Sequence, residues 1–250
     1  MNKTKITLVI IIAFIVTFVY YIYQCNRHVV VFCDVGQGAA TLFQMGDIQV
    51  LVDTGPDKSV LSCLGKYMPI FDKTIEVIIL SHDQKDHDGA LSFILSKYKV
   101  QNVLGPVLTK NINKKTNYTI VNDRHDFSIS PFLFSIKKAS QNSIDKNESA
   151  NVVSVSTPSN VYFISSDISA LELYRLMPPE TSILEVPHHG SKYGLSLLSL
   201  SLAHPTLAVI SVGKHNVYHH PAPETLAVLK AKKIPFLRTD EQGDIVLPLK

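Results

Sequence analysis

Four times along this chain an apolar, strand-like run ends in a cluster of histidine and aspartate. The clusters are Ser81-His82-Asp83-Gln84-Lys85-Asp86-His87-Asp88-Gly89, Ser165-Ser166-Asp167, Pro187-His188-His189-Gly190-Ser191 and Asn216-Val217-Tyr218-His219-His220-Pro221-Ala222-Pro223-Glu224. Strand ends are where polar side chains from distant parts of a sequence can converge, so the repetition constrains the fold more than any one cluster does. The first cluster is the most specific. It follows the continuous apolar run 75–80, which has the pattern of a strand buried on both faces. A charged surface loop is the plain alternative, but His82, Asp86 and His87 offer imidazole and carboxylate within one turn of chain. That donor mixture suits zinc or manganese, one or two ions, with an open position for a water. Asp167 taken alone reads as a cap or turn residue. Adjacent histidines point in different directions, so one of His188 and His189 suits a metal while the other orients or contacts a substrate. Pro221 and Pro223 fix the backbone before a helix at 224–232 and hold a histidine in place.

The rest of the chain frames these clusters. Strands are expected at 28–34, 40–44, 48–53, 132–137, 151–156, 161–165, 182–186 and 207–212, with a glycine turn at 35–38 and a final hairpin around Gln242-Gly243. Helices are expected at 57–67 and from Gly89 to Lys97, and a polar, basic loop at 110–119. Early strands followed by strands mixed with helices predict two sheets sandwiched between helix layers. No internal repeat is visible. Hydrophobic residues make up 46% of the 250, enough for a sizeable core, and the net charge of +3 permits nucleic acid or an anionic membrane as a partner without demanding either.

Residues 6–23 are almost wholly apolar and end in Tyr20, Tyr21, Tyr23 and Gln24. At about 1.5 Å per residue they cover roughly 27 Å, close to a bilayer core, and the tyrosines fit an interfacial belt. A cleaved signal peptide would be shorter and carry small residues at a cleavage site. The expectation is an uncleaved anchor at 1–27 and a domain at 28–250. Lys3 and Lys5 before the run favour a cytoplasmic N-terminus and an extracytoplasmic domain. Of the three cysteines, Cys33 and Cys63 have room for one bridge, but the reading favours buried small side chains.

The order of the four clusters resembles the metallo-β-lactamase superfamily. The narrower resemblance is to the hydrolase domain of the ComEC family of DNA-uptake proteins. Phe32-Cys33-Asp34-Val35-Gly36-Gln37-Gly38 and Leu51-Val52-Asp53-Thr54-Gly55 look like the opening of that domain. His82-x-x-x-Asp86-His87, Val186-Pro187-His188-His189-Gly190-Ser191, Gly213 with Asn216-x-Tyr218-x-His220-Pro221, and Arg238-Thr239-Asp240-Glu241-Gln242-Gly243 continue it. The match runs from about residue 28 to the end and is least informative over 101–150. The family pattern has His where this chain has Gln84, Asp where it has Ala39, and Gly where it has Ser166. The first two departures remove a potential ligand or substrate contact.

The resemblance implies an αββα sandwich and metal-assisted hydrolysis. It implies a ligand set of His82, Asp86, His87, Asp167, His188 and His220, with Asp167 as bridge. Asp86 would also orient the attacking water, and His189 and Tyr218 would contact the scissile group. The implied substrate is a DNA phosphodiester, cleaved while one strand passes through a membrane channel. A single helix cannot form that pore, so a separate channel protein is the expected partner. Two other readings stay open: a hydrolase of another ester or amide, and a non-catalytic DNA-binding or scaffold protein. Gly36 and Gly38 read as a tight turn before a phosphate cradle. Ser191 lacks a nucleophile-elbow context. Lys110, Lys114 and Lys115 suit either DNA phosphates or a solvated loop. His28, His125, His204 and His215 read as surface or packing residues.

Overall fold

The computed structural model describes residues 3–106, 112, 116–140 and 145–249. The first half holds α1 (Lys3–Cys25), β1 (His28–Phe32), β2 (Thr41–Met45), β3 (Ile48–Val52), α2 (Val60–Tyr67), β4 (Thr74–Ile79), α3 (Lys85–Asp88), α4 (Leu91–Lys97), β5 (Lys99–Gly105) and β6 (Tyr118–Ile120). The second half holds β7 (Arg124–Ile129), β8 (Phe132–Lys138), β9 (Asn151–Ser156), β10 (Val161–Ile164), α5 (Ala170–Leu176), β11 (Ile183–Glu185), β12 (Leu207–Ile210), α6 (Pro223–Ala231), β13 (Phe236–Arg238), α7 (Thr239–Gln242) and β14 (Ile245–Pro248).

The strands form two mixed seven-stranded sheets, ordered β14-β1-β2-β3-β4-β5-β6 and β13-β12-β11-β10-β9-β8-β7. In each sheet an antiparallel meander gives way to parallel strands, at β3–β4 in the first and β10–β11 in the second. Side chains alternate across β1: Val30 and Phe32 face the other sheet, while Val29 and Val31 face outward. Both faces of this strand are covered, so the run reads as continuously apolar. Between the sheets, Phe43 meets Phe134 and Tyr162 edge-on at 5.7 and 6.0 Å. Outside the first sheet, Leu51 and Ile78 pack on Val60 and Leu64 of α2 and Leu91 and Ile94 of α4. Outside the second, Phe163 and Leu184 pack on Leu173 of α5 and Leu229 of α6. The expected αββα layering is present.

Three expectations are corrected. The final segment is no hairpin: β13 pairs in parallel with β12, whereas β14 crosses to the other sheet and pairs antiparallel with β1. α7 and Gly243, at φ +71°, carry the chain across. The loop expected at 110–119 runs into strand β6 at Tyr118, and Lys110, Lys114 and Lys115 lie outside the described residues. Cys33, after β1, and Cys63, on the inner face of α2, form a disulfide with Cα atoms 5.8 Å apart. Packing α2 onto the sheet sets the two buried thiols opposite one another, a juxtaposition that spacing alone does not reveal.

Within α1, Lys5–Cys25 is long and apolar enough to cross a membrane, and it lies outside the domain's packing except at its last turn, where Gln24 is buried. Its last turn is fastened to the domain. The Gln24 side chain accepts a hydrogen bond from Ile70 N at 2.9 Å, and the Gln24 carbonyl accepts one from Gln44 Nε2 at 3.0 Å.

Candidate metal centre

Strand polarity assembles the site. β3 and β4 run parallel, so their C-terminal ends place Asp53 beside Ser81 and His82. β10, β11 and β12 do the same for Asp167, the 187–191 turn and Ser211. The backbone is unusual here: Asp53, Ser166, His188 and His189 have φ of +58°, +52°, +52° and +53°. Non-glycine residues in this region cost of order 1–3 kcal/mol each, and such clusters mark sites whose side-chain directions are held by the surrounding fold. Gly38 also serves the site. A Cβ there would strike the Asp86 carbonyl, and Ala39 N donates to that same oxygen at 3.1 Å. The glycine turn therefore packs on the α3 backbone.

Among the described residues, Asp86, His87, Asp167 and His189 form a group whose ligand atoms all lie within 4.8 Å of one another. His87 Nε2 is 3.2 Å from Asp167 Oδ1, and His189 Nε2 is 3.5 Å from Asp86 Oδ2 and 3.7 Å from Asp167 Oδ1. The opposite nitrogens are held from behind. His87 Nδ1 lies 2.7 Å from Asp53 Oδ2, and His189 Nδ1 lies 2.9 Å from the Ser211 carbonyl. Those acceptors keep the proton on Nδ1, which leaves Nε2 with a lone pair facing the group. The Nε2 atoms of His82, His87 and His189 are buried without a hydrogen-bond partner. Such orphaned nitrogens are costly, and with two carboxylates beside them they fit a divalent cation.

The other expected site residues surround this group. His82 is buried, its ring 4.2 Å from that of His87, with Nδ1 near the hydroxyls of Ser81 and Ser166 at 2.9 and 3.3 Å. His188 is more open, its side chain 37% exposed and Nε2 3.6 Å from Asp167 Oδ2. His220 lies 6.1 Å from the His188 ring. Asn216 pins that loop, donating to the His220 carbonyl at 2.7 Å and accepting from His220 N at 2.9 Å. Tyr218 is exposed and stacks against His220 at 5.8 Å. A cavity of about 150 Å³ is lined by Gln37, Gln84, Asp86, His188, His189, Tyr218 and His220. Gln84 donates to Asn147 Oδ1 at 2.6 Å.

Sequence reasoning gave no role to Asp53, Ser81, Glu185 or Ser211. Asp53 accepts from Ser81 N and Ser81 Oγ, both at 2.7 Å, as well as facing His87. The Asp53-Thr54-Gly55 motif was a signal for it, but its partners lie far along the chain. Glu185 is buried, accepts from Ser211 Oγ at 2.7 Å through Oε1, and has no partner at Oε2.

Charge is balanced tightly. Burial pushes His82 down to about 4, and the neighbouring His87 adds to the effect. Burial also opposes charge on His87 and His189, but nearby carboxylates outweigh it and raise both. Burial would raise Asp167 and Asp86, yet the facing histidines lower both, Asp167 to well below the usual carboxylate range. Burial pushes Glu185 up to about 7. With no cation bound, Asp53, Asp86 and Asp167 thus favour a second proton on the His87 and His189 rings, at Nε2, which a cation would displace.

Two sheets sandwiched between helices, with a histidine–aspartate group at the strand ends, define a protein of the metallo-β-lactamase fold. The chain superposes on the metallo-β-lactamase fold protein YhfI from Bacillus subtilis with a TM-score of 0.60 and 16% identity, covering 88% of this chain and 99% of that one. It superposes on a metallo hydrolase from Ignicoccus hospitalis with a TM-score of 0.59 and 14% identity, covering 89% and 100%. In sequence it is similar to ComE operon protein 3 of Bacillus subtilis, 27% identical over 268 residues, 92% of this chain and 34% of that protein. It is likewise similar to Recombination protein 2 of Haemophilus influenzae, 28% identical over 222 residues, 85% and 28% of the two chains. Both relatives are ComEC-family competence proteins. The chain spans about a third of the length of these curated relatives. No family model matches it.

Proposed function

We propose that this chain is a metal-dependent nuclease, anchored by α1 with its domain outside the cytoplasm, that cleaves DNA phosphodiesters during DNA uptake beside a separate membrane channel protein. The observation that carries the reading is the convergence of three unpartnered buried imidazole nitrogens with Asp86 and Asp167. His82, Asp86, His87, Asp167, His188, His189 and His220 are the residues that would hold one or two divalent cations, zinc or manganese. Bound there, a cation supplies Lewis acidity, lowering the pKa of a water and polarising a phosphoryl oxygen.

The chain's own residues do the rest. Asp53 Oδ2 and the Ser211 carbonyl hold the Nδ1 protons of His87 and His189, so both rings present Nε2 inward. Asp86, the most open carboxylate of the group with its side chain 30% exposed, orients the attacking water and accepts its proton. Tyr218 and Gln37 at the cavity mouth contact the substrate. The Cys33–Cys63 bridge supports an oxidising compartment for the domain.

The test is metal-supplemented digestion of labelled DNA by the full chain in detergent, beside a panel of small esters. Metal-dependent DNA cleavage that falls at least about 100-fold in Asp86→Asn is expected. Ester cleavage without DNA cleavage replaces the substrate, and metal binding with no turnover of either removes the activity.

A further inference from the structure

The link between α1 and the domain carries information about how the domain meets the bilayer. After α2, residues 69–72 make a tight turn closed by Asp72 N donating to the Pro69 carbonyl at 2.8 Å. At its tip Ile70 and Phe71 are 46% and 67% exposed. Large apolar side chains are also exposed elsewhere in the domain, four of them between Tyr193 and Leu202, but Ile70 and Phe71 adjoin a helix built for lipid. The Phe71 ring lies 5.7 Å from that of Tyr21. Tyr21 sits four residues before the end of α1, so Phe71 reaches back along the helix by one turn, about 6 Å. There it shares a level with the exposed rings of Tyr20 and Tyr23. Just beyond the helix end, the Arg27 guanidinium lies over the rings of Tyr23 and Tyr67 at 5.8 and 5.9 Å. Aromatic side chains topped by a cation are what a bilayer interface selects.

We propose that the turn at residues 69–72 is a second membrane contact, with Ile70 and Phe71 inserted into the interfacial layer of the lipid beside α1. The inference rests on the reading of α1 as a membrane span. The lipid surface is the occupant because the turn is continuous with the lipid-facing helix and too small for a protein interface. The attachment is rigid. Gln24, only 2% exposed, ties the helix end to the turn through Ile70 N, and Gly46 packs directly on the Cys25 carbonyl.

Two contacts fix orientation where a lone helix would let the domain swing. β4 starts at Thr74, two residues after the turn, and runs to Ile79 just before Ser81 and His82. At about 3.3 Å per residue, β4 carries the chain roughly 17 Å from the membrane-proximal turn before it reaches the segment that bears His82.

The chain has no tryptophan, so a single introduced one reports its own surroundings. The full chain is placed in vesicles of phosphatidylcholine and phosphatidylglycerol, with or without bromine on the acyl chains, near the methyl end to report Phe14→Trp and near the carbonyl end to report the turn. Three variants are compared: Phe14→Trp within α1, Phe71→Trp at the turn, and Leu171→Trp, exposed at the start of α5 on the site end of the domain. Phe14→Trp and Phe71→Trp are expected to lose at least half their emission in brominated vesicles, and Leu171→Trp to lose none. Ile70→Trp is the second reporter if Phe71→Trp does not fold. Quenching of Phe14→Trp without quenching at the turn overturns the second contact and leaves the anchor standing. Loss of quenching at Phe14→Trp overturns both.

Discussion

Asp53→Asn removes one charge and almost no volume from a residue that touches no substrate. Asp53 is 1% exposed and accepts from three donors: Ser81 N, Ser81 Oγ and His87 Nδ1, each at 2.7 Å. An asparagine keeps one acceptor oxygen and turns the other into an NH2 donor. If Oδ1 keeps Ser81 N, the amide nitrogen faces His87 Nδ1, and the imidazole proton is driven to Nε2, the atom pointing into the cluster. Binding a cation then requires reversing that tautomer against the amide. A hydrogen bond to a charged group contributes about 1.5–3 kcal/mol net, and losing the partner behind a metal-bound histidine costs about 10–100-fold in affinity. The two figures agree, since about 1.4 kcal/mol is tenfold. The prediction is a 10–100-fold loss of zinc or manganese affinity, measured by calorimetric titration of the metal-free protein. Thermal melting of both metal-free proteins controls for folding. An affinity within twofold of the unsubstituted protein, in a variant that melts normally, would refute the claim that Asp53 sets the His87 tautomer.

Gln84 lines the cavity where an imidazole would add a ligand, so the first cation should bind firmly and a second weakly; Gln84→His should tighten the weaker site at least tenfold by the same titration, and two equally tight sites beforehand would contradict this. Reducing the Cys33–Cys63 bridge, which closes a 30-residue separation, should lower unfolding stability by about 3–4 kcal/mol in urea denaturation, and an unchanged midpoint would count against it. Glu185 has its folded pKa raised from 4.5 to about 7, so its contribution turns against folding as pH rises between those values and stays unfavourable above them. Glu185→Gln in chelator-treated protein should therefore gain about 3 kcal/mol relative to the unsubstituted chain between pH 5 and pH 8, and a pH-independent difference would show that the carboxyl is not buried and neutral.

The central strands were legible because β1, β3, β4 and β10 are short apolar runs between turn residues. β5 and β7 were not. Only the last three residues of β5 are buried, and β7 alternates exposed with half-exposed positions, so neither has an apolar run to announce it. The relation between the sheets was also invisible: the two repeat the same order of antiparallel and parallel pairs without a matching repeat in residues. At the site, Asp86 and His87 could be picked out because strand-end position is written locally, whereas Asp167 read alone as a cap or turn residue and entered only through the resemblance. The division of labour between His188 and His189 was not local. Both have left-handed backbones, and what brings His189 into the four-residue group is the Ser211 carbonyl on the next strand. Asp53 stayed silent for the same reason, its partners lying 28 and 34 residues away.

The crossing of β14 to the first sheet bears on mechanical load. Only Asn26 and Arg27 separate α1 from β1, so a force applied between α1 and the domain enters covalently along β1, beside the Gln24 hydrogen bonds to Ile70 and Gln44. That strand is hydrogen-bonded on both sides, from Val29↔Pro248 to Phe32↔Ile245 and from His28↔Met45 to Phe32↔Thr41. A pull along the strand must shear both ladders together; it cannot unzip them bond by bond. Beyond the strand's far end, the bridge from Cys33 to Cys63 carries the remaining tension into α2.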